Sequence, residues 1–158
     1  MKVIGIDPGL SSTGIGIVRG RGIRVDGFSY GSINTVKSMS LPCRLMKIYT
    51  NISSLLVSEK PDLLIIEDIF SIQQYPKSGI VLGQVSGVIL LAAEQIGVIA
   101  REVPVREAKQ VLTGNGNASK IQLEKSVRYQ LKISSPIRPL HSSDALGLAL
   151  IGLYRHGR

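Results

Sequence analysis

Leu63-Leu64-Ile65-Ile66 is a short run of large apolar residues, entered through Pro61-Asp62 and closed by Glu67. It is too short for an ordinary helix and has no polar alternation. It therefore reads as a strand buried on both faces of a sheet, which restricts the chain to helices packed against that sheet. The other strands frame it. Val3 to Asp7 is a strand of branched residues, followed by Thr13 to Arg19, a Gly20-Arg21-Gly22 turn and Ile23 to Ile33. Glycine-bearing tight turns between such runs predict an antiparallel three-stranded meander.

Between Leu41 and Glu59 the period changes. Leu41, Leu45, Ile48, Ile52, Leu55 and Leu56 recur at intervals of three and four, as on one face of a helix, with Ser40 as its cap and Pro42 in its first turn. Further helices are expected from about Lys77 to Gln95, from Pro104 to Val111, from Ser119 to Leu131 and from Ser142 to Tyr154. A strand is expected at Val98 to Val103. The order β-β-β-α-β-α-β-α-α-α predicts an α/β protein, a mixed sheet flanked by helices. With 158 residues, 44% hydrophobic content, no repeat and no linker, one domain spanning 1–158 is expected.

Charge narrows the partner. A net charge of +8 favours a polyanion, nucleic acid first. No basic amphipathic helix stands out to suit a membrane surface. Ile80 to Ala93 is the most apolar stretch, but it falls short of the roughly 18 uncharged residues of a membrane span and reads as a buried helix. Cys43 is the one cysteine, so neither an internal disulfide nor a thiolate metal cluster can form. With no signal peptide apparent, a reducing cytoplasm is the expected compartment.

Three carboxylates sit awkwardly at the ends of elements. Asp7 interrupts an apolar strand just before Pro8-Gly9, and a short acidic side chain is rarely buried there unless it is paired or holds a metal. Glu67 ends the doubly buried strand. Asp144 falls in the first turn of the last predicted helix, where a carboxylate suits the helix dipole, and His141 precedes it by three residues. If the first and fourth strands are neighbours, Asp7 meets Glu67. Clustered carboxylates repel unless a cation holds them, and oxygen-rich sets suit Mg²⁺ or Mn²⁺; two such ions suit phosphodiester cleavage. Taken one at a time, Asp7 could be a turn former, Glu67 a solvated strand end, Asp144 a helix-terminal charge and His141 a surface residue.

Several motifs occur in order along nearly the whole chain. They are Gly5-Ile6-Asp7-Pro8-Gly9 with Thr13-Gly14, Ile66-Glu67-Asp68-Ile69-Phe70, Leu82-Gly83-Gln84 with Gly87, Lys109-Gln110-Val111 with Gly114-Asn115-Gly116, Lys120, and His141-Ser142-Ser143-Asp144-Ala145-Leu146. Together they resemble the RuvC family of bacterial Holliday-junction resolvases. The resemblance implies an RNase H-like fold with a five-stranded mixed sheet, a homodimer, and Mg²⁺-dependent paired nicking of four-way DNA junctions in recombination and repair. It implies two ions per site, with Mn²⁺ as a substitute, and catalytic and metal-binding roles for Asp7, Glu67, His141 and Asp144. His141 stands where many members carry Asp. Phe70, Lys109 and Lys120 match residues that face junction DNA, and the RuvA–RuvB branch-migration machinery becomes a candidate partner.

One departure concerns Ser86, which replaces the family's usual arginine. A weaker phosphate contact and a changed junction affinity or cleavage preference are expected from it. The helix around 77–95 is apolar nearly all round, which predicts burial on more than one side and self-association through it. Other functional classes are a non-cutting binder of branched nucleic acid, an actin-like or sugar-kinase-like ATPase sharing the Gly-x-Asp-x-Gly pattern, and a YqgF-type RNA-processing protein. The ATPases need two such domains, and the YqgF type lacks the match across the central helix.

Overall fold

The computed structural model describes residues 1–68 and 76–157. Five strands form one sheet: β1 (Lys2–Asp7), β2 (Ser12–Arg21), β3 (Arg24–Asn34), β4 (Leu63–Glu67) and β5 (Ala100–Val103), in the order β3-β2-β1-β4-β5. The meander β1-β2-β3 is antiparallel, while β4 and β5 run parallel to β1. Helices are α1 (Leu41–Glu59), α2 (Pro76–Ile96), α3 (Val105–Thr113), α4 (Lys120–Leu131) and α5 (Leu140–His156). The element order is the one the sequence predicts.

Alternation within the central strands builds two cores. Val3, Leu63 and Ile65 pack on the face covered by α3, α4 and α5, with Leu123, Val127, Leu146 and Leu150. Ile4, Ile6, Leu64 and Ile66 pack on the other face, with Ile48, Ile52 and Leu56 of α1 and Val85 and Ile89 of α2. Thus β4 is buried on both faces, as its unbroken apolar run requires. Ser40 caps α1, its hydroxyl accepting from the Cys43 amide at 3.5 Å.

At the seam between α5 and the sheet, side chains are missing where the backbones meet. A Cβ at Gly5 would overlap the Ala145 carbonyl, one at Gly14 the His141 carbonyl, and one at Gly16 the Leu146 amide. Only glycine admits so close an approach. The hydroxyl of Ser142 donates to the Gly31 carbonyl at 2.8 Å, tying the start of α5 to β3 as well.

Two expectations change. The β2–β3 hairpin turns at Gly22-Ile23, with Gly22 at φ 54°, because β2 continues through Arg21. Helix α5 starts at Leu140 with extended Pro139 ahead of it, so Asp144 lies in the second turn and not at the dipole-favoured start. Within a single chain, helix α2 is buried on one side. Its stretch Ser78–Ile96 is long and apolar enough to cross a membrane by length and composition, and 28% of that window is buried. Val85, Ile89, Ala92 and Ala93 wedge it into the core, while Ile80 and Leu91 remain 66% and 52% exposed. Ser86 is buried within α2.

Candidate active site

Parallel pairing of β1 with β4, Ile6 opposite Ile66, brings the next residues, Asp7 and Glu67, to the same end of adjacent strands. Asp144 reaches them from α5. Its helix lies on Gly5, Gly14 and Gly16, so its second turn stands over the end of β1. One ligand atom each from Asp7, His141 and Asp144 falls within 4.8 Å of the others. Asp7 and Asp144 are 6% and 3% exposed.

The electrostatics of this group are strained. Glu67 is pushed up from its ordinary 4.5 to about 8, first by burial, then by its hydrogen bond to Asp7 and by repulsion from Asp7 and Asp144. Burial also raises Asp144, although Lys120 opposes the shift. His141 Nδ1 lies 2.6 Å from Asp7 Oδ2. That hydrogen bond raises the imidazole above its ordinary 6.5 against the opposing effect of burial. Lys120 Nζ, at the start of α4, lies 3.0 Å from Asp144 Oδ2. The second Asp144 oxygen, Oδ1, is buried without a hydrogen-bond partner.

These observations fit a divalent cation. The donors are hard carboxylate oxygens and one imidazole, they converge, and one buried oxygen lacks the partner that a buried acceptor demands. The raised proton affinity of Glu67 and the Lys120 ammonium against Asp144 offset the negative charge of so close a set.

Of the residues the sequence singles out, Asp7, Glu67, His141 and Asp144 come together, and Lys120 joins them. Lys109 stands half-buried on α3 and is not part of this group. Phe70 lies outside the described residues. The pairing of Lys120 with Asp144, rather than with solvent, is absent from the sequence reading. Nothing in the spacing of residues 120 and 144 signals it.

Known proteins resemble this chain over nearly its whole length. The family described as "Crossover junction endodeoxyribonuclease RuvC" matches residues 3–152. A protein of that name from Syntrophomonas wolfei is 36% identical over 156 residues, covering 99% of this chain and 90% of its own length. One from Rhodopirellula baltica is 36% identical over 152 residues, covering 96% and 85% respectively. Among solved structures, Thermus thermophilus RuvC in complex with Holliday junction substrate superposes with a TM-score of 0.90 at 28% identity, covering 98% of this chain and 94% of that one. The five-stranded mixed sheet with flanking helices is the RNase H-like arrangement expected from the resemblance.

Proposed function

This chain belongs to the RuvC family of crossover junction endodeoxyribonucleases, and on that premise we propose that Asp7, Glu67, His141 and Asp144 form its catalytic set for resolving four-way DNA junctions. The observation that carries the assignment is the convergence of Asp7, Asp144 and His141 with Glu67 at the ends of β1 and β4 and the start of α5.

Two Mg²⁺ ions, or Mn²⁺ in their place, would be held by Asp7 with Asp144 and by Glu67, with His141 as a further donor. When bound, such ions supply charge stabilisation on the attacking and leaving oxygens of a phosphodiester. The chain supplies the rest. Hydrolysis joins a water oxygen to phosphorus, breaks the bond to the 3′ oxygen, and leaves a 5′-phosphate and a 3′-hydroxyl. Asp7 fixes the His141 ring through Nδ1, which leaves Nε2 as the nitrogen able to take or give a proton. Buried walls around Asp7 and Asp144 limit water and strengthen each charge interaction. Lys120 and Lys109 neutralise backbone phosphates, consistent with the net charge of +8.

A symmetric junction presents two equivalent strands, so two sites related by a two-fold axis suit paired cutting. The outer face of α2 suits the dimer contact. Ile80 and Leu91 are exposed along it, and a Cβ at Gly79, Gly83 or Gly87 would meet nothing, so a second helix can approach closely. The reading is completed by a single nuclease domain in the cytoplasm, with a branch-migration motor of the RuvA–RuvB kind delivering the junctions.

The test incubates the protein with a synthetic four-way junction and with linear duplex in Mg²⁺, alongside Asp7→Asn. Symmetric nicks in the junction alone, lost in the variant while binding persists, are expected. Binding without nicks in Mg²⁺ or Mn²⁺ would assign the chain to non-cutting binders of branched DNA.

A further inference from the structure

Asp7 leads straight into the tight loop 8–11, whose fastening comes from outside the catalytic group. Three successive carbonyls of this loop each accept a hydrogen bond. Gly9 accepts from Thr13 Oγ1 at 2.8 Å, Leu10 from Thr35 Oγ1 at 2.5 Å, and Ser11 from the Thr35 amide at 3.1 Å. A Cβ at Gly9 would overlap the Ser12 carbonyl, so the loop folds back hard on itself. Thr35, just past the end of β3, thus makes two of the three bonds.

Arg44 holds this arrangement together. From the first turns of α1 its Nε donates to Thr35 Oγ1 at 2.7 Å and its Nη2 to Ser11 Oγ at 2.9 Å. A guanidinium is a rigid planar fork and can hold two acceptors on different segments at a fixed separation, which a lysine ammonium on a flexible stem cannot. The charge-assisted bond also polarises the Thr35 hydroxyl, which strengthens its own donation to Leu10. Neither bond reaches Asp7, Glu67, His141 or Asp144.

We propose that Arg44 is a positioning residue for Asp7. Through Thr35 and Ser11 it locks the loop that follows the carboxylate, so that Asp7 keeps its place against His141 and Asp144 when cations and a phosphate backbone enter. This inference rests on the catalytic reading of Asp7 given above. Groups that orient a metal ligand typically change affinity or activity by about 10- to 100-fold when removed, and displacement of a reacting group by about 1 Å has effects of similar size.

The test compares wild type, Arg44→Ala, Arg44→Lys, Thr35→Val and Asp7→Asn. It uses four readouts: junction binding in EDTA, single-turnover cutting across a Mg²⁺ series, Mn²⁺ binding to the free protein by electron paramagnetic resonance, and hydrogen exchange of residues 9–12. Arg44→Ala is expected to bind junction like wild type in EDTA, to cut about 10- to 100-fold more slowly, to need more Mg²⁺, to bind Mn²⁺ more weakly, and to exchange faster at 9–12. Thr35→Val should behave alike, and Arg44→Lys should lie between. A lowered melting temperature with unchanged rate, Mg²⁺ requirement and Mn²⁺ affinity would make Arg44 merely structural and overturn the proposal. Loss of junction binding in EDTA would make it a phosphate contact and overturn it as well. If wild type itself cuts nothing, the nuclease reading fails separately, and Mn²⁺ affinity with loop exchange still decides the role of Arg44. Should Arg44→Ala not fold, Thr35→Val and Ser11→Ala carry the same comparison.

Discussion

Lys120 places its ammonium 3.0 Å from Asp144, an ion pair joining a half-exposed cation to a carboxylate that is almost fully buried. Burial alone would push the Lys120 ammonium down. Asp144, then Asp7 and Glu67, outweigh it and hold the group above its ordinary 10.5. The lysine is therefore a resident counter-ion for the carboxylates, standing where a metal would compete for the same oxygen. Lys120→Ala is expected to bind Mn²⁺ more tightly in the absence of DNA, and junction DNA more weakly. Paramagnetic titration and a gel shift in EDTA check the two halves, and weaker Mn²⁺ binding would contradict the first.

Removing one carboxylate relieves repulsion while removing a ligand. Asp7→Asn, Glu67→Gln and Asp144→Asn should each cut no junction, yet melt no lower than wild type in EDTA. Every 1 kcal/mol of relieved strain raises the melting temperature by about 2–4 °C in a chain of this size. Calorimetry beside a nicking assay tests this. A variant that melts several degrees lower would show that the cluster stabilises the fold and is not strained by it.

Acidity of Glu67 sets a pH window. With its value raised from 4.5 to about 8, the folded protein keeps a proton there that the unfolded chain has already released. Stability of the metal-free protein must then fall as pH rises through that window and level off above it. Mg²⁺ displaces the same proton, so the concentration needed for cutting should fall as pH rises. His141, raised above 6.5 chiefly by its bond to Asp7, acts in the same direction at the upper end. Glu67→Gln should flatten the lower part of the melting-temperature profile and leave a smaller slope above about pH 6.5, the ordinary histidine range.

Gly14→Ala should couple stability to chemistry. Its Cβ would overlap the His141 carbonyl, pushing the first turn of α5 off the sheet and away from Asp7. Overpacking of this kind typically costs about 1–3 kcal/mol, and cutting at saturating Mg²⁺ should fall with it. Gly83→Ala, where a Cβ meets nothing within the chain, is the control for an added methyl.

On α2, Leu91→Glu places a charge on the exposed apolar face without touching the core. Light scattering should show a monomer, with far-ultraviolet dichroism unchanged and junctions receiving single rather than paired nicks. A dimer that survives this change would move the contact elsewhere.

Asp7 and Glu67 were legible as carboxylates that each end a strand, but their adjacency needed β1 and β4 to be neighbours, which periodicity does not fix and the parallel pairing supplies. The start of α5 was not legible. The sequence places that start at Ser142, which lies inside the helix and donates its hydroxyl to Gly31 of β3, a partner 111 residues away. Extended Pro139 does the starting instead. Ser86 shows the same limit from another side. Residue matching along a helix does not report which face it occupies, and here that face is buried against the core. Nor could the sequence foresee that Lys120 finds Asp144 or that Arg44 bridges Thr35 and Ser11, since these contacts depend on how separate elements pack.

The glycine seam under α5 ties fold to chemistry. At Gly5, Gly14 and Gly16 the distance between helix and sheet is fixed by main-chain atoms, so no exchangeable side chain serves as a spacer there. A methyl added at any of the three must therefore move main chain, and with it the helix that carries Asp144. The three glycines are thus points where durability and chemistry meet.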